Sequence, residues 1–136
     1  MGVSVRVGDR SYEIGAASFF KAFFATICVR LENERWGKRF PVLMHGVYTG
    51  RLPPYDAQSA LQELTSVRSE LEGYGPDQLV WDFDNRSAQP PWGDRIAPEI
   101  TSLANYFVTS DGKDLFEVLR LAFATSISSW EPAIIE

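Results

Sequence analysis

Residues 79–112 read LVWDFDNRSAQPPWGDRIAPEITSLANYFVTSDG, and the reading of this stretch decides the fold. Leu79, Trp81 and Phe83 fall on one face at a period of two, with Val80, Asp82 and Asp84 on the other, which predicts a strand. Asn85, Arg86 and Ser87 end it. Pro90 and Pro91 then stiffen an extended segment before Trp92 and Gly93, because each proline fixes its own φ and pushes its predecessor out of the helical region. Between Ile96 and Asn105 the pattern is ambiguous, with Pro98 placed to start a single helical turn. A second apolar run, Tyr106, Phe107, Val108 and Thr109, predicts another strand that leads through Ser110, Asp111 and Gly112 into a helix.

Upstream, Val3, Val5 and Val7 alternate with Ser4 and Arg6, and Tyr12, Glu13 and Ile14 alternate again after a turn-like Gly8 to Ser11. This predicts a β-hairpin. Gly15 closes it, and Ser18 is a candidate N-cap. Phe19, Phe20, Phe23, Phe24, Ile27 and Leu31 recur at helical spacing, with Lys21, Ala22, Thr26 and Arg30 on the other side, which predicts a helix ending near Asn33 whose phenylalanines form core surface. Cys28 beside the stripe reads as a small buried hydrophobe. After the loop Trp36 to Arg39, Pro41 starts a short element in which Leu43, Met44 and Val47 share a face, a helix with a strand as the competing reading. Asp56 caps the next helix, whose stripe is Ala57, Ala60, Leu61, Leu64, Val67 and Leu71. Its wet side includes Glu63, Arg68 and Glu70, which show no sign of a functional cluster.

Gly73, Gly75 and Pro76 end that helix. Downstream of the opening stretch, Asp111 is the expected cap of the last helix, with Asp114 in its first turn and Leu115, Val118, Leu119, Ala122, Phe123 and Ile127 as its buried stripe. The tail, Pro132 to Glu136, either adds an edge strand or frays. No repeat or linker divides residues 1–136, so one domain is expected. The fold class is α+β: a small sheet, the N-terminal hairpin plus two or three further strands, with three main helices packed mostly on one face.

The composition narrows the function. A formal charge of −5 argues against a general nucleic-acid binder, which needs a basic face to neutralise phosphates. The 45% hydrophobic content supports a proper core and argues against disorder. One cysteine forms no internal disulfide, and no stretch approaches the ~18 uninterrupted apolar residues of a membrane helix. The expectation is a cytoplasmic protein that contacts neither membrane nor nucleic acid directly.

The chemistry-bearing residues are few. His45 has no nucleophile or carboxylate beside it, and no serine lies in a nucleophile elbow. No glycine-rich phosphate loop, zinc spacing or dinucleotide fingerprint is present, so neither a cofactor nor a catalytic residue is assigned. Asp82 and Asp84 would lie about 7 Å apart on one strand face, close enough to share a divalent cation if Asp94 or Asp111 came near. A small carboxylate-dependent metal-binding enzyme is therefore one reading, and a cytosolic adaptor another.

A third comes from resemblance. VSVRVG and YEIG at residues 3–15, SFFKAFFATI at 18–27, WGKRFPVLM at 36–44, VYTGRL at 47–52, AxxALxEL at 57–64, VWDFDN at 80–85, QPPWG at 89–93 and NYFVTSDGKDLFEVL at 105–119 occur in order across nearly the whole chain. In this set the chain resembles the bacterial immunity protein 70 family of polymorphic-toxin loci. The resemblance implies a non-enzymatic protein that binds the C-terminal domain of one cognate toxin in the cytoplasm and blocks its active or substrate-binding site. It names no toxin and carries over no binding residues.

Such binding must be tight. Nanomolar affinity corresponds to about −12 kcal/mol, commonly from about 1,600 Å² of buried surface with aromatic anchors inside a polar rim. Many toxins of such loci are nucleases, and an acidic inhibitor gains on-rate toward a basic cleft by steering. The expected contact surface comprises Asp82, Asp84, Trp92, Asp94 and Asp111, with an architectural role for Trp81 and the QPPWG segment as the competing reading. An apolar edge at Ile134 and Ile135 allows either a monomer or a homodimer.

Overall fold

The structure, a computed structural model, describes residues 2–136. The N-terminal alternation forms the expected hairpin, β1 (Gly2–Val7) antiparallel to β2 (Arg10–Ala16), with a register shift between Val3 and Ser4. Next come α1 (Ala17–Leu31), a π-helical turn (Val42–Val47), β3 (Arg51–Leu52), α2 (Ala57–Leu71), α3 (Leu115–Ser129) and β4 (Ala133–Ile135). The four strands form one antiparallel sheet in the order β2-β1-β4-β3. This is the α+β fold anticipated, with three main helices.

The register decides which sheet face is covered. Val5 pairs with Tyr12 and Ile135, and Val7 with Arg10 and Ala133. Paired residues share a face, so Val5, Val7 and Ala133, all buried, look toward the helices. Arg6, Ser11 and Ile134 look the other way, among exposed or half-buried neighbours.

Phe23 sits at the centre of the core. Its ring makes edge contacts with Phe24 and with Phe107 and Phe116, at centroid distances of 5.4, 5.1 and 5.3 Å, tying α1 to α3 and to the chain before it. Each such side chain contributes about 1.5–3 kcal/mol on burial. Antiparallel packing of α2 on α3 places Arg68, near the end of α2, at 2.9 Å from Asp114 at the start of α3.

Several expectations are corrected. Residues 79–84 form no strand, and residues 106–109 contribute only an isolated bridge, Val108 with Asp114. The reason is their partner: Val80 bonds to a side chain, donating its N–H to Thr26 Oγ1 at 3.1 Å while its carbonyl accepts from that hydroxyl at 3.2 Å. Ala22 and Thr26, expected on the outer side of α1, are thereby fully buried. The tail is neither frayed nor an edge: β4 lies between β1 and β3, so Ile134 and Ile135 have both ladder sides taken. β3 is too short to announce itself by alternation.

The helix caps also differ. α1 starts from Ala16 with no side-chain cap, which places Ser18 inside the helix, and Asp56 stands at the start of α2 without capping it. α3 is capped by Asp114, whose Oδ1 accepts from the Phe116 N–H at 2.9 Å, and not by Asp111. Pro41 does start its element, and Leu43, Met44 and Val47 are buried together as expected, in a π-helical turn. Two carboxylates hold that region. The buried Glu32 accepts from the N–H groups of Gly37, Arg39 and Phe40 at 3.0–3.1 Å, and Glu63 accepts from those of Val42 and Leu43. Gly37 needs its missing side chain: φ is +75° and a Cβ would fall 2.0 Å from His45 Nε2.

Candidate functional site

The segment between α2 and α3 has almost no regular structure, so its shape comes from individual side chains. Arg30 Nε donates to the Gln78 carbonyl at 2.8 Å, and the Tyr74 hydroxyl donates to the Arg30 carbonyl at 3.0 Å. Thr26 holds Val80. Farther along, Arg86 Nε donates to the Phe83 carbonyl at 2.8 Å while its guanidinium pairs with Glu34 beyond the end of α1. The Trp92 indole donates to the Tyr106 hydroxyl at 2.7 Å, and burial pushes the pKa of that phenol up. Asn105 gathers its own loop by accepting from the N–H groups of Thr101 and Ser102 and donating to the Glu99 carbonyl. At the far end, Ser110 donates its N–H to the Ile14 carbonyl at 3.0 Å and its hydroxyl to Glu13 at 2.7 Å, docking the segment on the open edge of β2.

Two hollows flank this segment where it crosses α1. One, of about 390 Å³, is lined by Trp36, Tyr48, Trp81 and Phe83 together with Asp82, Asp84 and Lys21. The other, of about 370 Å³, is mainly apolar and lies among Ile14, Phe19, Trp92, Ile96 and Tyr106, with Arg95 its one charged wall. Trp81 and Trp92 meet edge to face at 5.4 Å, one ring lining each hollow.

The five expected contact residues are therefore only partly brought together. Asp82 and Asp84 share the first hollow, and Asp82 Oδ1 accepts from the Asp84 N–H at 2.9 Å, a local turn that fixes their spacing. Trp92, 38% exposed, lines the second, with the exposed Asp94 on the same turn. Asp111 stands apart, beside Tyr12, Glu13 and Lys113. There the Thr109 hydroxyl donates to it and Lys113 lies 3.8 Å away, both holding its carboxyl below the usual range. The four aspartates do not converge, and no three His, Cys, Asp or Glu side chains are grouped to hold a metal ion among the described residues. The carboxylate-metal reading thus loses its proposed ligand set.

Sequence reasoning missed Trp36, Tyr48 and Lys21 as neighbours of Asp82 and Asp84. They come from elements far apart in the chain, and one-dimensional periodicity carries no signal for that meeting. It also passed over Tyr55 and Trp130, the most exposed large apolar side chains among the described residues at 72% and 63%. Helix packing explains their placement: Tyr55 precedes α2 and Trp130 follows α3, and the antiparallel pair puts both ends on one side of the molecule. Trp130 is held at φ +57°, a left-handed conformation that a side chain other than glycine or asparagine adopts at some cost.

Cys28 is buried on α1, and burial raises its thiol pKa to about 11, so it is not an activated nucleophile. No helix among the described residues is long and apolar enough to cross a membrane. The profile of a protein family described as Immunity protein 70 matches residues 5–135. No curated protein and no solved structure gives a significant match.

Proposed function

The chain belongs to the immunity protein 70 family, and from that premise we propose that it binds one cognate bacterial polymorphic toxin domain and neutralises it by covering its active or substrate-binding site. Immunity proteins are toxin inhibitors; this one would act on one toxin, by occlusion, in the cytoplasm and without catalysis of its own. The observation that carries it is the family match over nearly the whole chain.

The two hollows beside Trp81 and Trp92 support this as the contact face. They put large aromatic rings and two exposed carboxylates on one surface, the anchors and polar rim that tight protein interfaces use. Acidic groups there would speed encounter with a basic toxin surface. Tyr55 and Trp130 mark a second candidate face, favoured by their exposure.

The test is co-expression with the C-terminal domain of the polymorphic toxin encoded beside this protein, scored by cell survival and then by co-purification. Rescue with a stable complex is expected. If both proteins are folded and expressed yet neither rescue nor complex appears, that pairing is discarded. Asp82→Asn with Asp84→Asn should weaken the complex at unchanged melting temperature, whereas weakening by Trp130→Ala alone would move the contact to the other face.

A further inference from the structure

Three arginines in this fold are held the same way, each stacked on a phenylalanine and paired with a carboxylate. Arg39 lies over Phe40 at 4.8 Å and pairs with Glu70 at 2.6 Å. Arg68 lies over Phe116 at 5.5 Å and pairs with Asp114 at 2.9 Å. Arg86 lies over Phe83 at 4.9 Å and pairs with Glu34. An aromatic face attracts a cation through its quadrupole, and a neighbouring carboxylate adds charge and hydrogen-bond acceptors that match the planar guanidinium.

The hollow of about 390 Å³ is lined by the same two components in larger number: the aromatic residues Trp36, Tyr48, Trp81 and Phe83 and the acidic residues Asp82 and Asp84. Trp36 meets Tyr48 and Phe83 edge to face at 4.8 and 6.0 Å, and its indole is tied to the Met44 carbonyl at 2.9 Å, so the wall is preorganised. Arg86 covers the Phe83 ring but pairs with Glu34, so no arginine answers Asp82 and Asp84. Neither Asp82 nor Asp84 forms an ion pair with any described residue, and Lys21, the one basic side chain lining the hollow, is exposed and pairs with neither.

We infer that this hollow is a receptor for a cationic side chain, an arginine guanidinium in preference to a lysine ammonium, offered by a protein partner. The inference deepens the inhibitor reading and rests on it only for the partner's identity, the toxin domain; the chemistry of the hollow stands by itself. Lys21, the one basic residue lining the hollow, places a like charge beside an entering guanidinium and so opposes its binding.

The experiment is a titration of the ¹⁵N-labelled full chain with Nα-acetylarginine methylamide, and in parallel with the neutral, near-isosteric citrulline compound. The indole N–H signals of Trp36 and Trp81 should shift saturably with the arginine compound, while that of Trp130, which does not line the hollow, stays put. Citrulline should shift none of them. Asp82→Asn with Asp84→Asn should reduce the affinity at least severalfold while preserving the fold, because asparagine keeps the acceptor that holds the Asp84 N–H. Lys21→Ala should raise it, a change of sign that a purely structural lysine would not give. Equal shifts with citrulline, no shift at millimolar arginine compound, or affinity indifferent to both variants would overturn the inference. If the arginine compound binds as described but no toxin is neutralised, the receptor stands and the inhibitor reading falls; the reverse result discards the receptor alone.

Discussion

The two walls that enclose α1 are built on different rules. On one side, the sheet and α3 bury residues at regular intervals: Val5 and Val7 along β1, and Leu115, Val118, Leu119, Ala122 and Phe123 along α3. On the other, residues 78–86 cross α1 without strand or helix, held by Thr26, Arg30 and Arg86 through side-chain-to-backbone hydrogen bonds. A periodic wall spreads its stability over many contacts, so losing one costs part of the sum. The anchored wall depends on a few groups, and removing one releases a stretch. The more distinctive surface, with its aromatic rings and unpaired carboxylates, is carried by the anchored wall.

Phe23 sits at the centre of the core and ties α1 to α3 and to Phe107, and its removal should have the largest effect. Phe23→Ala removes a fully buried ring in contact with Phe24, Phe107 and Phe116, and should cost about 4 kcal/mol of global stability. Denaturant unfolding followed by two probes, tryptophan fluorescence, to which Trp81 and Trp92 of the segment between α2 and α3 contribute, and far-ultraviolet circular dichroism for the helices, should show both transitions moving together. A loss confined to one probe would mean that the walls are not coupled through this ring.

The next effect separates them. Thr26→Val keeps the shape of a fully buried residue but removes both of its hydrogen bonds to Val80, leaving a buried N–H and carbonyl without partners, for about 2 kcal/mol. The cost should fall locally. Hydrogen exchange at Val80 and proteolysis within residues 84–100 should accelerate while the amides of α2 and α3 remain protected. Uniform acceleration across the chain would show that Thr26 supports the core as a whole.

The same division explains what could be read from the sequence. The hairpin, the three long helices and their buried stripes follow from period two or period 3.6, and the structure has them. The alternation of residues 79–84 is also present in the sequence, yet it forms no strand: half-buried Trp81 and Phe83 alternate with exposed Asp82 and Asp84, but the backbone bends at Trp81, Phe83 and Asp84, and Val80 gives its hydrogen bonds to Thr26 in place of a ladder. The alternation of burial was legible; the bends and the partner of the hydrogen bonds were not. In the tail, Ala133 to Ile135 are too few to reveal whether they sit inside a sheet or at its edge. Of the candidate site, Asp82 and Asp84 lie side by side because their spacing is local, whereas the proximity of Trp36, Tyr48 and Lys21 is set by tertiary packing, and Asp111 is drawn away to β2 by Thr109 and Ser110.

A smaller effect tests the periodic wall at its end. Asp114 rather than Asp111 caps α3, so Asp114→Ala should cost about 1 kcal/mol and fray the first turn of that helix. Asp111→Ala should leave the melting temperature nearly unchanged, as expected for an exposed substitution that removes no helix cap. Thermal unfolding of the two variants side by side decides between them, and equal losses would return Asp111 to a capping role.

The smallest effects come from two glutamates on α2 that sequence reasoning left on its solvated side. Both anchor the chain between α1 and α2: Glu70 through Arg39, at 2.6 Å in each of two hydrogen bonds, and Glu63 through the N–H groups of Val42 and Leu43. Their titrations are displaced in opposite directions. The hydrogen-bonded Arg39 guanidinium holds the Glu70 carboxyl below its ordinary value of 4.5, whereas burial raises that of Glu63 against the opposing pull of its backbone donors. Glu70 therefore binds protons less readily in the folded chain than in the unfolded one; its contribution is complete above the ordinary carboxylate range and fades as the pH falls through its lowered pKa. Glu63 binds them more readily when folded, so its contribution is fullest below that range and declines as the pH rises through its raised pKa. Because the Arg39–Glu70 pair is largely exposed, Glu70→Gln should cost less than about 1 kcal/mol at neutral pH, with the difference from the unmodified chain narrowing toward pH 3. Glu63→Gln should do the converse, removing a decline on the neutral side without adding loss in acid. Urea unfolding from pH 3 to pH 7 measures both, and parallel pH profiles for the two variants would show that these carboxylates are the solvated groups their helical spacing suggests, and not anchors of the irregular chain.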